Sequence, residues 1–237
     1  MIVIESKRKK IEDVVKKYPG AEILDVTSKS TDPKFIKFSP FYPFYDIPVP
    51  GMKGFYGACV EGIWQGLKVF EKEGTSTDTI RNGKMKELKR NEKTHGKLLG
   101  HKYGKEILEY IDARKKIYIP TYNWVLEHKL GALVNELREL SSHGTVVLLD
   151  YETNEDVEDW RKPLSHASLI KAYIEALGED EQASPVEYKK GMKVRHSKFG
   201  DGEVVSYNPE TQRVVVDFEE GQKTLSTVFA KLEIVEQ

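Results

Sequence analysis

Residues 59–70, CVEGIWQGLKVF, place an acidic residue in the first turn of an amphipathic helix. The apolar residues recur at the spacing of one helix face: Val60, Ile63, Trp64, Leu67 and Phe70. This pattern predicts a helix over 59–72 with that face in the core. Glu61, Gln65 and Lys68 lie on a neighbouring face. Glu61 has two interpretations, a surface glutamate that stabilises the helix N-terminus or a carboxylate directed into a cleft.

A loop rich in proline and aromatic residues precedes this helix. Residues 38–51, FSPFYPFYDIPVPG, hold four prolines and five aromatic residues among fourteen. Proline fixes φ and removes a backbone donor, so the loop is expected to be rigid. Its rings, including those of Tyr42 and Tyr45, either pack the loop over a core, as in an Ω-loop, or form the wall of a pocket that stacks a base.

The rest of the first 178 residues mixes helical and strand patterns. Residues 1–6 and 21–28 read as strands on either side of a helix, and GTVVLLDYE at 144–152 reads as a buried strand. Residues 96–140 read as helices broken at Pro120, and residues 71–97 as a polar surface excursion.

The hydrophobic period changes near the C-terminus. Residues 166–177 have helical spacing, and Gly178 is a candidate C-cap. After an acidic, then small and polar stretch, the period becomes two, with tight turns. We predict an α+β domain over 1–178, mainly helical with a small sheet, a linker over 179–188, and an all-β SH3- or Tudor-like barrel over 189–237.

Composition and charge make some classes of function less favoured, namely nucleic-acid binding and membrane association. The chain has 37 basic and 38 acidic residues, so its total charge favours neither nucleic acid nor membrane. The single cysteine, Cys59, fits a reducing compartment, and no apolar run approaches the ~20 residues of a membrane helix. We therefore predict a cytoplasmic protein without a membrane partner. The histidines are scattered, so we predict no metal site and no cofactor.

Two further positions have both a structural and a functional interpretation. Trp160 stands among charged residues, where its ring would be available for stacking. Ser165 precedes the helix at 166 and is either a plain N-cap or part of a phosphate site formed by free N–H groups.

The stretches SPFYPF at 39–44 and CVEGIWQGLKVF at 59–70 resemble the NADAR family, whose members cleave N-glycosidic bonds between a ribose and a base, and the specific part of the match runs from Phe41 to Phe70. The order of elements is similar over about 170 residues. The resemblance implies a substrate such as a ribosylated pyrimidine or ADP-ribose on guanine. It also implies the residue roles: Glu61 catalytic, with the substrate held by Tyr42, Tyr45, Gln65, Lys68, Tyr118 and Trp160.

Some site assignments remain open under this resemblance. Arg81 or Arg114 would hold phosphate, and Asp46 is a possible second carboxylate. Arg161 stands where the family has glycine, and no acidic residue follows Trp160 directly. The alternative is therefore a non-catalytic protein that binds ADP-ribose or another nucleotide.

The C-terminal segment resembles the Tudor-like tail of UvrD/PcrA-type helicases. The matching residues include KFGDGEVV at 198–205 and VVVDFEEGQKTL at 214–225. The resemblance implies a partner such as RNA polymerase or a DNA-repair protein. The residues expected to bind a protein or nucleic acid are Arg195, His196, Lys198 and Phe199. A transcription-associated adaptor acting through this segment alone is a further alternative.

Overall fold

The structure, a computed structural model, describes residues 1–182, 188–209, 211–227, 230 and 232–235, with the backbone alone at 179–182. The chain divides into two compact units, Met1–Tyr173 and Ile174–Gln237. Both helices and strands are present, so the fold is α+β.

The described helices and strands are numbered in chain order. The helices are α1 (Ile11–Lys17), α2 (Val60–Gly66), α3 (Thr77–Arg81), α4 (Glu92–His95), α5 (Tyr110–Ala113), α6 (Ile119–His128), α7 (Gly131–His143) and α8 (His166–Gln182). The strands are β1 (Ile2–Ser6), β2 (Glu22–Asp25), β3 (Ile47–Pro48), β4 (Tyr56–Gly57), β5 (Lys68–Phe70), β6 (Leu98–Tyr103), β7 (Glu106–Leu108), β8 (Val146–Asp150), β9 (Lys193–His196), β10 (Gly200–Asn208), β11 (Arg213–Phe218), β12 (Gly221–Ser226) and β13 (Leu232–Ile234).

A three-stranded parallel sheet in the order β1-β8-β2 lies in the first unit. Every residue of β8 is buried, as expected for a continuous apolar run in the middle of a parallel sheet. Helix α1 connects β1 to β2 and packs Val14 on Val147 and Leu149. The strands and the helix predicted here from sequence are confirmed.

The helix predicted over 59–72 ends at Gly66, and residues 68–70 form β5 instead. Gly66 packs so closely on α3 that an added Cβ would lie 2.3 Å from Ile80 Cγ1. The buried Arg90 donates to the carbonyl oxygens of Lys68 (2.7 Å) and Gln65 (3.3 Å). Tertiary contacts therefore replace the next helical turn.

Residues 96–140 were predicted to form helices, but the structure has two strands at the start of this stretch. Residues 98–108 form the hairpin β6–β7, which pairs with β5. Gly100 has φ +145°, and a Cβ there would lie 2.5 Å from the Leu108 carbonyl oxygen. This close backbone approach fits glycine in a strand and opposes the predicted helix.

Pro120 does not break the helical region. Residues Arg114–Tyr118 form a π-helical turn that joins α5 to α6, and Pro120 lies at the start of α6. The proline falls in the first turn of α6, where its missing N–H has little consequence.

Helix α8 continues to Gln182, so Gly178 is not its C-cap. The helix therefore enters the predicted linker, and residues 183–187 of that linker lie outside the described residues.

The second unit contains a five-stranded antiparallel sheet in the order β12-β11-β10-β9-β13. Its core includes Val194, Val204, Val214, Val216 and Phe218. The C-terminal region is therefore all-β, as predicted. Across the residues that the structure describes, no helix is both long enough and apolar enough to cross a membrane.

Candidate functional site

A cavity of about 370 Å³ opens in the first unit beside the N-terminal turn of α2. Its walls come from α2, β5, the segment before α4, the π-helical turn and the loop before α8. The lining residues are Phe41, Glu61, Trp64, Gln65, Lys68, Lys89, Tyr110, Arg114, Tyr118, Pro163 and Leu164.

Two hydrogen bonds from backbone N–H groups fix the position of Glu61 at the cavity. Cys59 caps α2, with its Sγ accepting from the Gly62 N–H at 3.2 Å. The Glu61 N–H donates to the Pro40 carbonyl oxygen at 2.8 Å. The proline-aromatic loop therefore lies against the first turn of α2, and the Glu61 side chain is half-buried at the cavity wall.

Three polar side chains form a hydrogen-bonded row along this wall. Gln65 Nε2 donates to Glu61 Oε1 at 2.8 Å, and Lys68 Nζ donates to Gln65 Oε1 at 2.8 Å. The backbone N–H of Arg90 also donates to Gln65 Oε1, at 3.2 Å. Gln65 is thereby fixed with its amide nitrogen towards the carboxylate of Glu61.

Burial shifts the pKa values at the two ends of the row in opposite directions. Burial raises the pKa of Glu61, opposed by the hydrogen bond from Gln65 and by the charge of Lys68. Burial lowers the pKa of Lys68, opposed by the charge of Glu61. An acid with a raised pKa and a base with a lowered one on one wall are typical of sites that move protons.

Aromatic rings form another part of the cavity wall. The Trp64 ring meets Tyr110 and Tyr118 edge-on, with centroids 5.7 and 5.5 Å apart. Its own plane stacks on His101 at 3.8 Å. Burial lowers the pKa of His101 to about 3, so this imidazole is neutral and serves as a flat support for the indole.

Arg114 lines the cavity, but its guanidinium is committed to the backbone. Its NH1 donates to the carbonyl oxygens of Val157 (3.0 Å) and Asp159 (2.9 Å), and its NH2 donates to that of Lys162. These bonds position the loop that supplies Pro163 and Leu164 to the cavity. Arg114 is thus a positioning residue here, in contrast to the phosphate contact expected from sequence.

The structure brings together four of the seven residues predicted for the catalytic and substrate-binding site. Glu61, Gln65, Lys68 and Tyr118 line the cavity. The other three, Tyr42, Tyr45 and Trp160, are not among its lining residues.

The three remaining rings have other surroundings. Tyr42 packs on Phe44, with ring centroids 5.0 Å apart. Tyr45 is exposed and lies over Gly83, and Trp160 is 69 % exposed in a neighbouring depression. Of the rings in the proline-aromatic loop, Phe41 is the one that reaches the cavity wall.

Two other charged candidates lie outside the cavity lining. Arg81 is exposed and stacks over the Phe55 ring at 4.6 Å. Asp46 is exposed and accepts a hydrogen bond from Lys129 at 2.6 Å. Neither position fits the role expected from sequence.

Lys89 was not predicted as a site residue, but it is exposed at the cavity, and its positive charge opposes the rise in the pKa of Glu61. Lys89 belongs to the stretch interpreted as a surface excursion, although its neighbour Arg90 is buried. No helical or strand period marks this position, so no pattern in the sequence identifies Lys89 as a site residue.

Ser165 caps α8, with its Oγ accepting from the Ser168 N–H at 3.2 Å. The Ser165 hydroxyl donates to Asp150 Oδ2 at 2.7 Å. His166 Nδ1 lies 3.0 Å from the same carboxylate oxygen, and its Nε2 is 2.9 Å from the Val26 carbonyl oxygen. This buried cluster connects the ends of β8 and β2 to the start of α8, which favours the capping interpretation of Ser165.

The four partner-binding candidates of the second unit lie on and beside β9. Arg195 is paired with Asp201 at 2.5 Å. His196 stacks on Phe199 with centroids 4.8 Å apart, and Lys198 Nζ lies 5.3 Å from the centre of that ring. Among the described residues of the chain, no group of three or more His, Cys, Asp or Glu side chains is arranged to hold a metal ion.

Comparison with known sequences adds one relationship. The profile of a family of unknown function, DUF6939, matches residues 6–170. The chain belongs to this family. The matched range of DUF6939 contains α2, the cavity and the Asp150–His166 cluster, and it stops before the C-terminal sheet. No curated protein matches the chain.

Proposed function

We propose that the first unit is an N-glycosidase that hydrolyses the bond between a ribose, most simply that of an ADP-ribosyl group, and a base. The observation that carries the proposal is the position of Glu61, a carboxylate with a raised pKa in a cavity walled by aromatic rings. N-glycosidic cleavage develops positive charge at the anomeric carbon, and an adjacent carboxylate stabilises such charge. The resemblance to the NADAR family supports the same assignment.

The groups along the cavity wall allow a balanced reaction. Glu61, as the carboxylate, takes a proton from the attacking water, whose oxygen bonds to the anomeric carbon as the bond to the base breaks. Lys68 donates a proton to the departing base, because burial lowers its pKa and favours release of the proton. Gln65 holds both side chains in place. Trp64, Tyr110 and Tyr118 exclude water and contact the base or the sugar.

Replacement of Glu61 tests the catalytic role. We expect Glu61→Gln to lower kcat for release of guanosine and ADP-ribose from an ADP-ribosyl-guanosine substrate by about 100- to 1000-fold. Asp46→Asn is the matched control, since it removes an exposed carboxylate outside the cavity. Unchanged turnover in Glu61→Gln would remove Glu61 from the chemistry.

A second candidate function is binding of ADP-ribose or another nucleotide without catalysis. One observation favours it: Glu61 is the single acidic residue in the described cavity lining, and Gln65 already occupies one of its oxygens. Calorimetry with ADP-ribose, run beside the turnover assay, separates the two functions. Binding of ADP-ribose by a wild-type chain that releases no base would support the second.

For the C-terminal unit we propose an SH3- or Tudor-like barrel that binds a partner of the transcription or DNA-repair machinery. The order of its five strands and the stacked His196–Phe199 pair beside Lys198 support the proposal. A pull-down with RNA polymerase tests it. Deletion of residues 184–237 is expected to abolish capture, and Lys198→Glu to weaken it, whereas equal capture by all three chains would refute it.

A further inference from the structure

Beside the cavity lies a second depression of about 300 Å³, which we call the indole shelf. Its lining residues are Glu109, Tyr110, Ile111, Asp112 and Trp160. Trp160 leaves 69 % of its surface exposed. A tryptophan gains free energy by burying its ring, so an indole that stays open at the edge of a depression has surface available for a ligand.

The charges of the indole shelf are of one sign. Glu109 and Asp112 are exposed, and neither carboxylate forms a hydrogen bond or an ion pair with another described residue. Two nearby cations are paired with other carboxylates, since Arg161 bonds to Asp159 at 2.8 Å and Lys115 pairs with Glu158. The two charged residues that line the shelf therefore both carry negative charge.

The indole adds an attraction of the same kind. The face of a tryptophan ring carries negative electrostatic potential and attracts ammonium groups more strongly than other aromatic rings do. A positively charged ligand would therefore be attracted both by the charge of the two carboxylates and by the face of the indole.

The backbone behind the shelf is fixed before any ligand arrives. Arg114 donates to the carbonyl oxygens of Val157, Asp159 and Lys162, which span Trp160. Its guanidinium also lies 4.6 Å from the centre of the Tyr110 ring. Little ordering of the loop is then needed on binding, which favours affinity for a small ligand.

We propose that the indole shelf binds a small organic cation of the alkylammonium class, with the cationic group against Trp160 and beside Glu109 and Asp112. The volume of about 300 Å³ suits a single small group. The shelf is distinct from the cavity beside α2, whose lining includes Lys68 and Lys89, although Tyr110 lines both. The proposal does not depend on the chemistry assigned to Glu61.

Titration of the full chain with choline tests this proposal. Its uncharged isostere, 3,3-dimethylbutan-1-ol, is the ligand control. We expect saturable binding of choline by calorimetry, with a change in tryptophan fluorescence, and at least about tenfold weaker binding of the alcohol. Added salt is expected to weaken the binding of choline, because both carboxylates are exposed.

Variants then locate the binding site. Trp160→Ala is expected to weaken choline binding about tenfold and to remove the fluorescence change. The double variant Glu109→Gln/Asp112→Asn is expected to weaken it about tenfold and to reduce its salt dependence. Glu106→Gln removes an exposed carboxylate outside the shelf and is expected to bind choline as the wild type does. Glu61→Gln is likewise expected to keep full choline affinity.

Three results with choline or its uncharged isostere would overturn the proposal. They are the absence of saturable choline binding to the wild type, equal affinity for the uncharged alcohol, and choline binding that survives Trp160→Ala unchanged. A lysine-rich peptide that binds at Trp160 where choline does not would also overturn it, because the occupant would then be a protein segment.

Discussion

Glu61 and Lys68 make the pH profile of the proposed hydrolysis predictable at the level of single residues. Glu61 must be ionised to accept a proton, and its pKa is raised above 4.5. Lys68 must be protonated to donate one, and its pKa is lowered from 10.5. We therefore expect a bell-shaped profile of kcat/KM against pH. Because the two pKa values are shifted towards each other, the range of high activity is narrower than the interval from pH 4.5 to pH 10.5.

The two limbs of that profile are assigned by substitution. Lys68→Arg keeps the charge but does not titrate in this range, so its profile is expected to lose the alkaline limb and to keep the acid limb. Steady-state kinetics from pH 4 to 10 measures both limbs. An alkaline limb that persists in Lys68→Arg would assign that titration to another group.

The Asp150–His166 pair predicts how folding stability changes with pH. Burial would lower the pKa of His166, but its ion pair with Asp150 and its hydrogen bonds reverse this and raise the pKa above 6.5. The pKa of Asp150 is lowered below 3.8, because His166 and the hydrogen bond from Ser165 outweigh burial. The pair therefore contributes fully to folding stability between pH 3.8 and pH 6.5. This contribution is lost as pH rises through the raised pKa of His166.

Urea unfolding at pH 5.5 and 8.5 checks this expectation. His166→Gln is expected to lose about 3 kcal/mol of unfolding free energy at pH 5.5, as is usual when one partner of a buried pair is removed. The loss should be smaller at pH 8.5, because the contribution of the pair falls as pH rises through the raised pKa of His166. An equal loss at both pH values would show that the positive charge of His166 does not contribute to stability.

At the scale of elements, the early end of α2 depends on the contact between Gly66 and α3. A Cβ at residue 66 would meet Ile80 Cγ1 at 2.3 Å and the Ser76 carbonyl oxygen at 2.8 Å. We expect Gly66→Ala to destabilise the protein by about 1–3 kcal/mol through overpacking. Thermal or urea unfolding measures the change.

Gly178→Ala is the matched control for Gly66→Ala. Residue 178 lies inside α8, and a Cβ there meets nothing within 4 Å. Alanine is the better helix former, so this variant is expected to gain about 0.5–1 kcal/mol. Equal destabilisation by both substitutions would contradict the packing argument.

Arg114 fixes the loop that supplies Pro163 and Leu164 to the cavity and Trp160 to the indole shelf. Arg114→Met removes the donors to three carbonyl groups while keeping an unbranched apolar stem. We expect amide exchange over residues 157–164 to become at least about tenfold faster, since those carbonyl groups lose charged partners. Exchange in β8 serves as the internal control, and an unchanged rate over 157–164 would show that other contacts hold the loop.

The elements that the sequence predicts well are those whose hydrophobic pattern continues without interruption along the whole element. The fully buried run of β8 and the alternation of charged and apolar residues in α1 identify both elements. Glu61, Gln65 and Lys68 could be grouped because they follow each other at helical spacing. Lys68 nevertheless lies in β5, and it reaches the cavity because the chain turns directly after α2.

The remaining site residues depend on contacts that no local pattern encodes. Lys89 reaches the cavity because Arg90, beside it, is buried against the end of α2. Trp160 resembles a pocket residue in sequence, but Arg114 holds its loop so that the indole stays exposed. Both outcomes follow from buried arginines that bind distant carbonyl groups.

At the scale of the whole molecule, the chain contains two units with separate cores. Val147 is fully buried in the parallel sheet of the first unit, and Val216 is fully buried in the antiparallel sheet of the second. The DUF6939 match covers residues 6–170 and leaves the second sheet outside the family. This arrangement is typical of a module joined to a domain that has its own hydrophobic core.

A pair of equivalent substitutions tests whether the two cores are independent. Val216→Ala is expected to cost about 2 kcal/mol and to accelerate amide exchange in β9–β12 alone, since it opens a cavity in that core. Val147→Ala is expected to do the same in β1, β2 and β8 alone. Native-state hydrogen exchange, resolved by peptide, measures all seven strands in one experiment. If either substitution accelerates exchange in both sheets equally, the units unfold as one, and removal of residues 184–237 would no longer be a clean test of the C-terminal module.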